Sequence, residues 1–293
     1  MVKEQHPVAR VIQSHGKGFV VDVDGQRYQA TARRKKTDFA VGDRVEVAIL
    51  NAEQAVIERA LPRVSLLYRS DLFREKLIAA NVTQIAIVLA AVPSFYEELL
   101  SRCLVAAEDA DIRALIVLNK TDLPETAAAR VVVAPYHALG YPMVELSAKQ
   151  DIGPLLPYLD DQVTVFVGQS GMGKSTLVNA LVPEAKARTR EISEALDSGK
   201  HTTTHATLYR LANGGELIDS PGLQEFGLRH LRHDRLAALF PEFRPFIGQC
   251  RFHNCRHDRE PGCAMIAAEA RGEVLPQRLK LMRKLYSECV SQG

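Results

Sequence analysis

The sequence predicts three parts: a small all-β barrel, an α/β domain with a parallel sheet and a phosphate-binding loop, and a mainly helical C-terminal part that binds a metal. Short strands separated by turns occupy residues 8–60. Strand-like apolar runs then alternate with helical patterns, and one run leads into GQSGMGKS at 168–175. Three cysteines fall within fourteen residues near the C-terminus. A chain of 293 residues has room for two or three domains.

The composition is ordinary for a soluble globular protein, with 46% hydrophobic and 25% charged residues. The longest apolar run, Ile85–Val92, is far too short to span a membrane. The N-terminus, MVKEQHPVAR, lacks the apolar segment of a secretory signal. We therefore expect a cytoplasmic monomer with no membrane partner. The net charge is only +2, but both ends of the chain are basic and the centre is acidic. Basic ends favour a polyanionic partner such as RNA, or they are ordinary solvated surfaces.

Residues 1–65 are predicted to form an OB-fold barrel that binds RNA. KGFVVDVDGQRYQATA contains two short strands around the turn Asp24–Gly25, and DFAVGDRVEVAIL and QAVIERA add two more. Four or five short strands in about sixty residues are typical of a small closed barrel. The basic run at 33–36 lies on a predicted loop, where it either contacts RNA or is only solvated. Residues 60–75 read as a linker.

Residues 66–229 are predicted to form an α/β domain. QIAIVLAAV (84–92), ALIVLNK (114–120) and YPMVELSA (141–148) read as buried strands. Nearly continuous apolar strands that alternate with helices indicate a parallel sheet with helices on both faces.

The first helix of this domain has a predicted start. Ser94 and Glu97 have the spacing of a capping box. The helix would then carry Phe95, Leu99, Cys103 and Ala106 on one face, with Cys103 as a plain core residue.

GQSGMGKS lies between a strand-like run and a helical pattern, the context that a phosphate-binding loop requires. Its glycines let backbone N–H groups face phosphate oxygens, and the helix N-terminus adds partial positive charge. Lys174 is predicted to reach the β- and γ-phosphates as a catalytic residue, and the Ser175 hydroxyl to bind Mg²⁺. The predicted nucleotide-binding residues here are Gly168, Gln169, Ser170, Gly171, Met172, Gly173, Lys174, Ser175 and Thr176.

Two later segments complete the predicted phosphate site. Asp219, in IDSPG, ends a strand-like run, where it can hold Mg²⁺ through a water. The Gly222 N–H can bind the γ-phosphate. A GTPase also needs a threonine that closes over Mg²⁺ and the γ-phosphate. GKHTTTH supplies Thr202 and Thr203, and Thr203 is the favoured Mg²⁺ ligand.

NKTD at 119–122 predicts that the base is guanine. The Asp122 carboxylate can accept hydrogen bonds from the guanine N1–H and 2-amino group, which adenine does not offer. The Lys120 stem can lie over the ring, and Asn119 can brace the loops. In SAK, the Ala148 N–H can reach guanine O6 while Ser147 supports the turn. The predicted guanosine-binding residues are Asn119, Lys120, Thr121, Asp122, Ser147 and Ala148.

The motifs occur in the order NKxD, SAK, GxxxxGKS, HTTT, DSPG, whereas an ordinary GTPase begins with GxxxxGKS and ends with NKxD and SAK. Rotating one order gives the other without breaking a strand, so the sequence predicts a circularly permuted P-loop GTPase domain. Binding loops at the carboxyl ends of the strands converge wherever the chain starts. In the permuted order, the segment after DSPG lies near the C-terminal end of the GTPase domain. We expect the C-terminal domain to anchor that segment.

Residues 230–293 are predicted to form a mainly helical zinc-binding domain that ends in the basic helix LPQRLKLMRKLYSECV. A cysteine cluster in a cytosolic protein is more often a metal site than a disulfide. CRFHNCRHDREPGC offers a closed Cys₃His set suited to structural zinc. His253 is a rival ligand by spacing alone, and ordinary buried cysteines are the other alternative. Cys289 lies outside the cluster. The candidate zinc ligands are Cys250, Cys255, His257 and Cys263.

The barrel, the permuted motif order and the terminal cysteine cluster together resemble the RsgA (YjeQ/YloQ) family of bacterial small ribosomal subunit biogenesis GTPases. The resemblance covers nearly the whole chain. It implies an OB-fold, a GTPase domain and a zinc domain, with zinc on the four ligands given above. It also implies binding to the small ribosomal subunit and its rRNA, and a GTPase that is weak alone and stimulated by the subunit.

The residue that positions the attacking water is unusual. Many GTPases have a glutamine directly after DxxG, but here that position is Leu223. Gln224 is one residue further on and would point elsewhere. His201, beside the switch threonines, is the better catalytic candidate, and the family resemblance implies a histidine. The alternative is a surface histidine with no role.

We therefore expect a GTP-hydrolysing assembly factor that binds the small ribosomal subunit late in its maturation, with one structural Zn²⁺ and with Mg²⁺ bound alongside GTP. One alternative is a nucleotide-gated RNA-binding module whose hydrolysis is incidental. Another is a small-molecule or nucleotide kinase, against which NKTD and SAK argue.

Overall fold

The computed structural model describes residues 6–15, 18–33, 39–70, 75–183, 185, 206–220, 228 and 231–290. These residues form thirteen strands and six α-helices. No helix among them has the length and apolar character that crossing a membrane requires.

The N-terminal strands form a closed barrel in the order β1-β2-β3-β5-β4, with β4 pairing back to β1. The parallel β3–β5 pair closes an otherwise antiparallel barrel, as the OB-fold prediction requires. Asp24 and Gly25 both have positive φ, which a two-residue hairpin turn needs. The barrel interior is filled by side chains at alternate positions along the strands, many of them valines and aromatic residues. The strands are β1 Val8–His15, β2 Gly18–Val23, β3 Gln26–Ala32, β4 Arg44–Ile49 and β5 Gln54–Ala60.

A short hairpin follows the barrel, so the expectation of a linker over residues 60–75 is wrong in part. Strands β6 (Leu66–Ser70) and β7 (Glu75–Ala80) pair antiparallel. The hairpin is fixed to the barrel because the Ala80 N–H donates to the Val41 carbonyl at 2.9 Å. Strand β6 forms because its backbone pairs with β7. The composition of β6 alone does not indicate that pairing.

The central sheet has the order β10-β9-β8-β11-β13-β12 and is parallel except for β12. Every residue of β8 is buried, which agrees with the predicted near-continuous apolar strands. Strands β8, β9 and β10 come first in the chain and form one half of the sheet. Strands β11, β12 and β13, which include the strand before the phosphate loop, form the other half, and β11 lies beside β8. The strands are β8 Gln84–Ala90, β9 Arg113–Asn119, β10 Met143–Glu145, β11 Val163–Val167, β12 Thr207–Arg210 and β13 Glu216–Asp219.

The barrel and the central sheet form one continuous sheet. Strand β1 pairs with β12, with Gln13 opposite Thr207. An ion pair between Arg10 and Glu216 at 2.6 Å crosses the same junction. Since β12 follows the predicted switch threonines directly, the barrel is attached to the hairpin that joins the two switch segments.

The helices are α1 Glu97–Asp109, α2 Thr126–Ala138, α3 Leu156–Leu159, α4 Lys174–Leu181, α5 Ala264–Ala270 and α6 Pro276–Val290. Helix α1 begins after Tyr96, with no side-chain cap, so the capping box at Ser94 is wrong. Glu97 instead accepts hydrogen bonds from Tyr136 and Gln277, each at 2.8 Å. Phe95 therefore precedes the helix. The rest of the predicted face, Leu99, Cys103 and Ala106, is buried, and Cys103 is a core residue.

The C-terminal part packs on α1; residues 221–227, which it was expected to anchor, lie outside the described part of the chain. Arg278, whose side chain is fully buried, pairs with Glu242 at 2.7 Å. Its guanidinium lies 4.5 Å from the ring centroid of Phe240. On the surface, Lys284 pairs with Glu98 at 2.6 Å. The buried pair lies within the C-terminal part, whereas the Lys284–Glu98 pair and a hydrogen bond from Arg278 to the Ser101 carbonyl at 3.5 Å join α6 to α1.

Candidate functional site: a guanine-nucleotide pocket and a Cys₃His centre

The predicted base and phosphate loops meet at the carboxyl edge of the sheet. Asn119, at the end of β9, is 1% exposed. Its Nδ2 donates to the Met172 carbonyl at 2.9 Å, and its Oδ1 accepts from the Ala148 N–H at 3.0 Å. One side chain therefore joins NKTD to the phosphate loop, 53 residues away along the chain, and to the SAK turn, 29 residues away.

Lys120 makes a second connection to the phosphate loop. Its Nζ donates to the Gly171 carbonyl at 2.6 Å and to the Val92 carbonyl at 2.7 Å. Its backbone has a φ of 62°, a left-handed conformation that is uncommon for a side-chain-bearing residue. The Thr126 hydroxyl donates to the Lys120 carbonyl at 3.1 Å, so the strained turn is held from the start of α2.

Two glycines of the phosphate loop are required by close approach. Gly168 has a φ of 144°, and a Cβ there would overlap the Val88 carbonyl. Gly173 has a φ of 94°, and a Cβ there would overlap the Asn119 amide. Because Gly173 immediately precedes α4, it lets the chain enter the helix with its N–H groups facing the loop.

Lys174 is folded into the phosphate loop. Its Nζ donates to the carbonyls of Gly168 and Gln169 at 2.5 and 2.7 Å. Burial lowers the pKa of Lys174, while the Asp219 carboxylate at the end of β13 acts in the opposite direction. Ser175 and Thr176 are exposed on the first turn of α4. The amine, the helix N-terminus and the carboxylate thus form one charged edge.

Asp122 is exposed and stays ionised. A hydrogen bond from the Ser147 hydroxyl lowers the pKa of its carboxyl, and the charge of Lys149 acts in the same direction. The Thr121 N–H donates to the Leu146 carbonyl at 3.2 Å, which fixes NKTD against the SAK turn. A fixed carboxylate of this kind can accept two hydrogen bonds from one base edge.

The switch residues lie outside the described part of the chain. These are His201, Thr202, Thr203, Gly222, Leu223 and Gln224. Their predicted roles therefore remain predictions.

The segment from Val92 to Tyr96 braces the phosphate loop, and the sequence motifs did not indicate it. The Tyr96 N–H donates to Gln169 Oε1 at 2.7 Å. The Pro93 ring lies against Gly171, where a Cβ would come within 2.9 Å of the ring. No spacing rule could have found these contacts, because they follow from the adjacency of β8 and β11.

The four predicted metal ligands converge. Their ligand atoms all lie within 4.8 Å of one another. His257 Nδ1 lies 3.5 Å from Cys250 Sγ and 3.4 Å from Cys263 Sγ, and those sulfurs are 3.9 Å apart. A tetrahedral zinc site with ordinary bond lengths has ligand separations of about 3.6–3.8 Å. The cluster, completed by Cys255, is therefore compatible with zinc.

The rival assignments do not fit this centre. His253 is exposed and is not part of the cluster. Cys289 lies on α6, and its Sγ is 3.9 Å from the Leu228 carbonyl. Burial lowers the pKa of His257, which favours the neutral imidazole that binds metals.

Comparison with known proteins gives the family. Residues 60–229 match the sequence profile of the family described as RsgA GTPase. The chain belongs to the RsgA GTPase family. It is 55% identical over 281 residues to the small ribosomal subunit biogenesis GTPase RsgA of Neisseria meningitidis serogroup B, covering 96% of this chain and 92% of that protein. The relative of the same description from Nitrosospira multiformis is 53% identical over 280 residues, covering 94% and 89%.

Two solved structures share the fold over nearly the whole chain. YjeQ from Thermotoga maritima matches with a TM-score of 0.78 and 29% identity, covering 98% of this chain and all of that one. YloQ, a circularly permuted GTPase, matches with a TM-score of 0.74 and 26% identity, covering 100% and 98%. The predicted fold class is confirmed: the chain is a circularly permuted GTPase with an N-terminal five-stranded barrel and a C-terminal Cys₃His cluster.

Proposed function

We propose that this GTPase acts in the biogenesis of the small ribosomal subunit, and that it binds that subunit and its rRNA late in maturation. The observation that carries the guanine-nucleotide site is the Asn119 side chain, which holds the base loop, the phosphate loop and the SAK turn together. The names of the relatives support the place of action. We divide the chain into a barrel at 1–65, a GTPase domain at 66–229 and a zinc domain at 230–293.

The nucleotide would bind across the carboxyl edge of the sheet. The ionised Asp122 accepts from guanine, while the phosphate loop from Gly168 to Thr176 and the Lys174 amine hold the phosphates. We assign Mg²⁺ to Ser175 and Thr203, with Asp219 acting through water. The ion would neutralise charge on the β- and γ-phosphates. The Gly222 N–H would complete the γ-phosphate site.

Hydrolysis by the isolated protein should be slow, since Leu223 cannot orient water. We propose that His201 does so once the small subunit is bound. Positioning of a catalytic group can change a rate by orders of magnitude.

Zinc in the C-terminal domain would be structural. Cys250, Cys255, His257 and Cys263 form a closed set with no position for a substrate. A domain this small has little core of its own, so metal binding would supply folding free energy. We expect the protein to be a cytoplasmic monomer when it binds the ribosome.

The segment that carries the four candidate zinc ligands, residues 250–263, exposes side chains suited to binding RNA. The side chain of Arg259 is 93% exposed. The Arg251 guanidinium lies 5.5 Å from the ring centroid of Phe252, and both residues are exposed. Arginines and aromatic rings are the side chains that bind phosphates and unstacked bases of RNA.

Co-sedimentation with each ribosomal subunit, in GDP and in a non-hydrolysable GTP analogue, tests the place of action. We expect binding to the small subunit that depends on the nucleotide. Binding to neither subunit, or equally to both, would contradict the proposal. Turnover that the small subunit leaves unchanged would favour the alternative of a nucleotide-gated RNA-binding module with incidental hydrolysis.

A further inference from the structure

The loop between the second and third cysteines of the cluster closes around one carboxylate. Glu260 Oε1 accepts a hydrogen bond from the Arg256 N–H at 2.8 Å. Its Oε2 accepts from the N–H groups of Asp258 and Arg259 at 2.8 and 3.1 Å. Three backbone donors within four residues therefore meet a single side chain, which uses both of its carboxylate oxygens as acceptors.

The metal ligand His257 lies inside this closed loop. Its backbone has a φ of 59°, a left-handed conformation that a residue with a side chain adopts only when its surroundings impose it. Glu260 binds the amides on both sides of it, at Arg256 and Asp258. The His257 carbonyl accepts from Arg283 Nε on α6 at 2.6 Å. The turn is thus held from two directions, and its imidazole faces the cysteine sulfurs.

We propose that Glu260 is a positioning residue for the metal centre: it preforms the turn that presents His257, and it thereby sets how tightly and how long the metal is held. The inference rests on the proposed zinc site. The hydrogen bonds of Glu260 go to backbone amides of the loop, so they act on the ligand through the backbone, while its charge also acts on the His257 imidazole. Outer groups that orient a metal ligand typically contribute about 10- to 100-fold to metal affinity.

Glutamine is the discriminating substitution. It keeps the length and shape of the side chain, but it has one acceptor oxygen, and its amide nitrogen would face at least one backbone N–H. Glu260→Gln should therefore loosen the turn, although the glutamine side chain still fills the volume that the glutamate occupied. Glu273→Gln is the matched control, because it removes the same charge in the same domain from an exposed pair with Arg271 at 2.7 Å.

The test uses the full-length, zinc-loaded protein and a chromophoric chelator. Wild type and both variants are compared for zinc affinity and for the rate of zinc release. Glu260→Gln should bind zinc about 10- to 100-fold more weakly and release it correspondingly faster. Glu273→Gln should behave as wild type. If Glu260→Gln holds zinc as tightly and as long as wild type, the proposal is overturned.

Two further readouts separate a positioning role from general unfolding. Backbone amides at 256, 258 and 259 should exchange with solvent faster in zinc-loaded Glu260→Gln, while GTP affinity stays unchanged. Cobalt substitution should still give the tetrahedral thiolate spectrum, since the ligands remain. A variant that loses GTP binding along with zinc, or one whose loop amides exchange as in wild type, contradicts the proposal. Wild-type protein that contains no zinc would instead overturn the metal site itself.

Discussion

Asn119 binds two loops with one side chain, through the Met172 carbonyl at 2.9 Å and the Ala148 N–H at 3.0 Å. The loop that chooses the base is thereby fixed to the loop that holds the phosphates. The base loop precedes the phosphate loop in the chain, and the contact forms because the carboxyl ends of β9 and β11 lie at the same edge of the sheet.

Removing this contact should weaken nucleotide binding as a whole. Asn119→Ala leaves the Met172 carbonyl and the Ala148 N–H without their partner, and each buried unpaired group costs about 1–3 kcal/mol. We expect GTP and GDP affinity to fall by about 10- to 100-fold, measured by titration of a fluorescent nucleotide. Asn51→Ala, in an exposed turn of the barrel, is the control and should change neither affinity. Unaltered binding by Asn119→Ala would remove this residue from the site.

Base choice should depend on Asp122. In Asp122→Asn a donor amide faces the donors of guanine, so GTP affinity should fall by about two or more orders of magnitude. Affinity for xanthosine triphosphate should rise, because its C2 oxygen accepts from the amide. Competition between the two nucleotides measures both effects. A variant that still prefers GTP would refute the assignment.

The centre formed by Cys250, Cys255, His257 and Cys263 should hold about one zinc per chain. Cys255→Ser should lose the metal and loosen the C-terminal domain, while GTP binding survives because no ligand belongs to the central domain. Cys289→Ser, outside the cluster, should retain zinc. Elemental analysis of natively purified protein gives the stoichiometry. Its absence from the wild type would contradict the assignment.

The buried pair of Arg278 and Glu242 should matter for stability. Arg278→Ala leaves the Glu242 carboxylate buried without its partner, which typically costs about 3–5 kcal/mol of unfolding free energy. Arg271→Ala breaks an exposed pair and should leave stability close to that of wild type. Urea unfolding measures both. Equal midpoints for the two variants would show that the buried pair does not stabilise the C-terminal part.

Catalysis should depend on His201 only in the presence of the small subunit. His201→Ala should keep its GTP affinity and its binding to the subunit but lose most of the stimulated turnover. His205→Ala, at the other end of HTTTH, is the matched control. If His201→Ala is stimulated as fully as wild type, the water must be positioned by Gln224 or by the ribosome.

Much of the site could be predicted from the sequence because its residues are tied to local rules. Gly168 and Gly173 are positions of the motif where φ is 144° and 94°, a conformation that favours glycine. Four ligands with metal-site spacing converged as expected. In each case a motif of a few residues already contains the geometry that it needs.

The features that the sequence did not indicate arise from contacts between distant segments. The pairing of Gln13 with Thr207 joins two sheets that look independent. Glu97 satisfies Tyr136 and Gln277 instead of closing a capping box. Gln169 accepts from Tyr96 because β11 lies beside β8. Local sequence patterns do not predict these partners, because the partners are distant in the chain and only the fold brings them together.

Single-turnover hydrolysis of GTP by the wild-type protein, with and without purified small ribosomal subunits, tests the central claim most directly. The account predicts a slow rate for the protein alone and a rate higher by orders of magnitude with small subunits, with no comparable effect of large subunits. The same rate in all three conditions would contradict it.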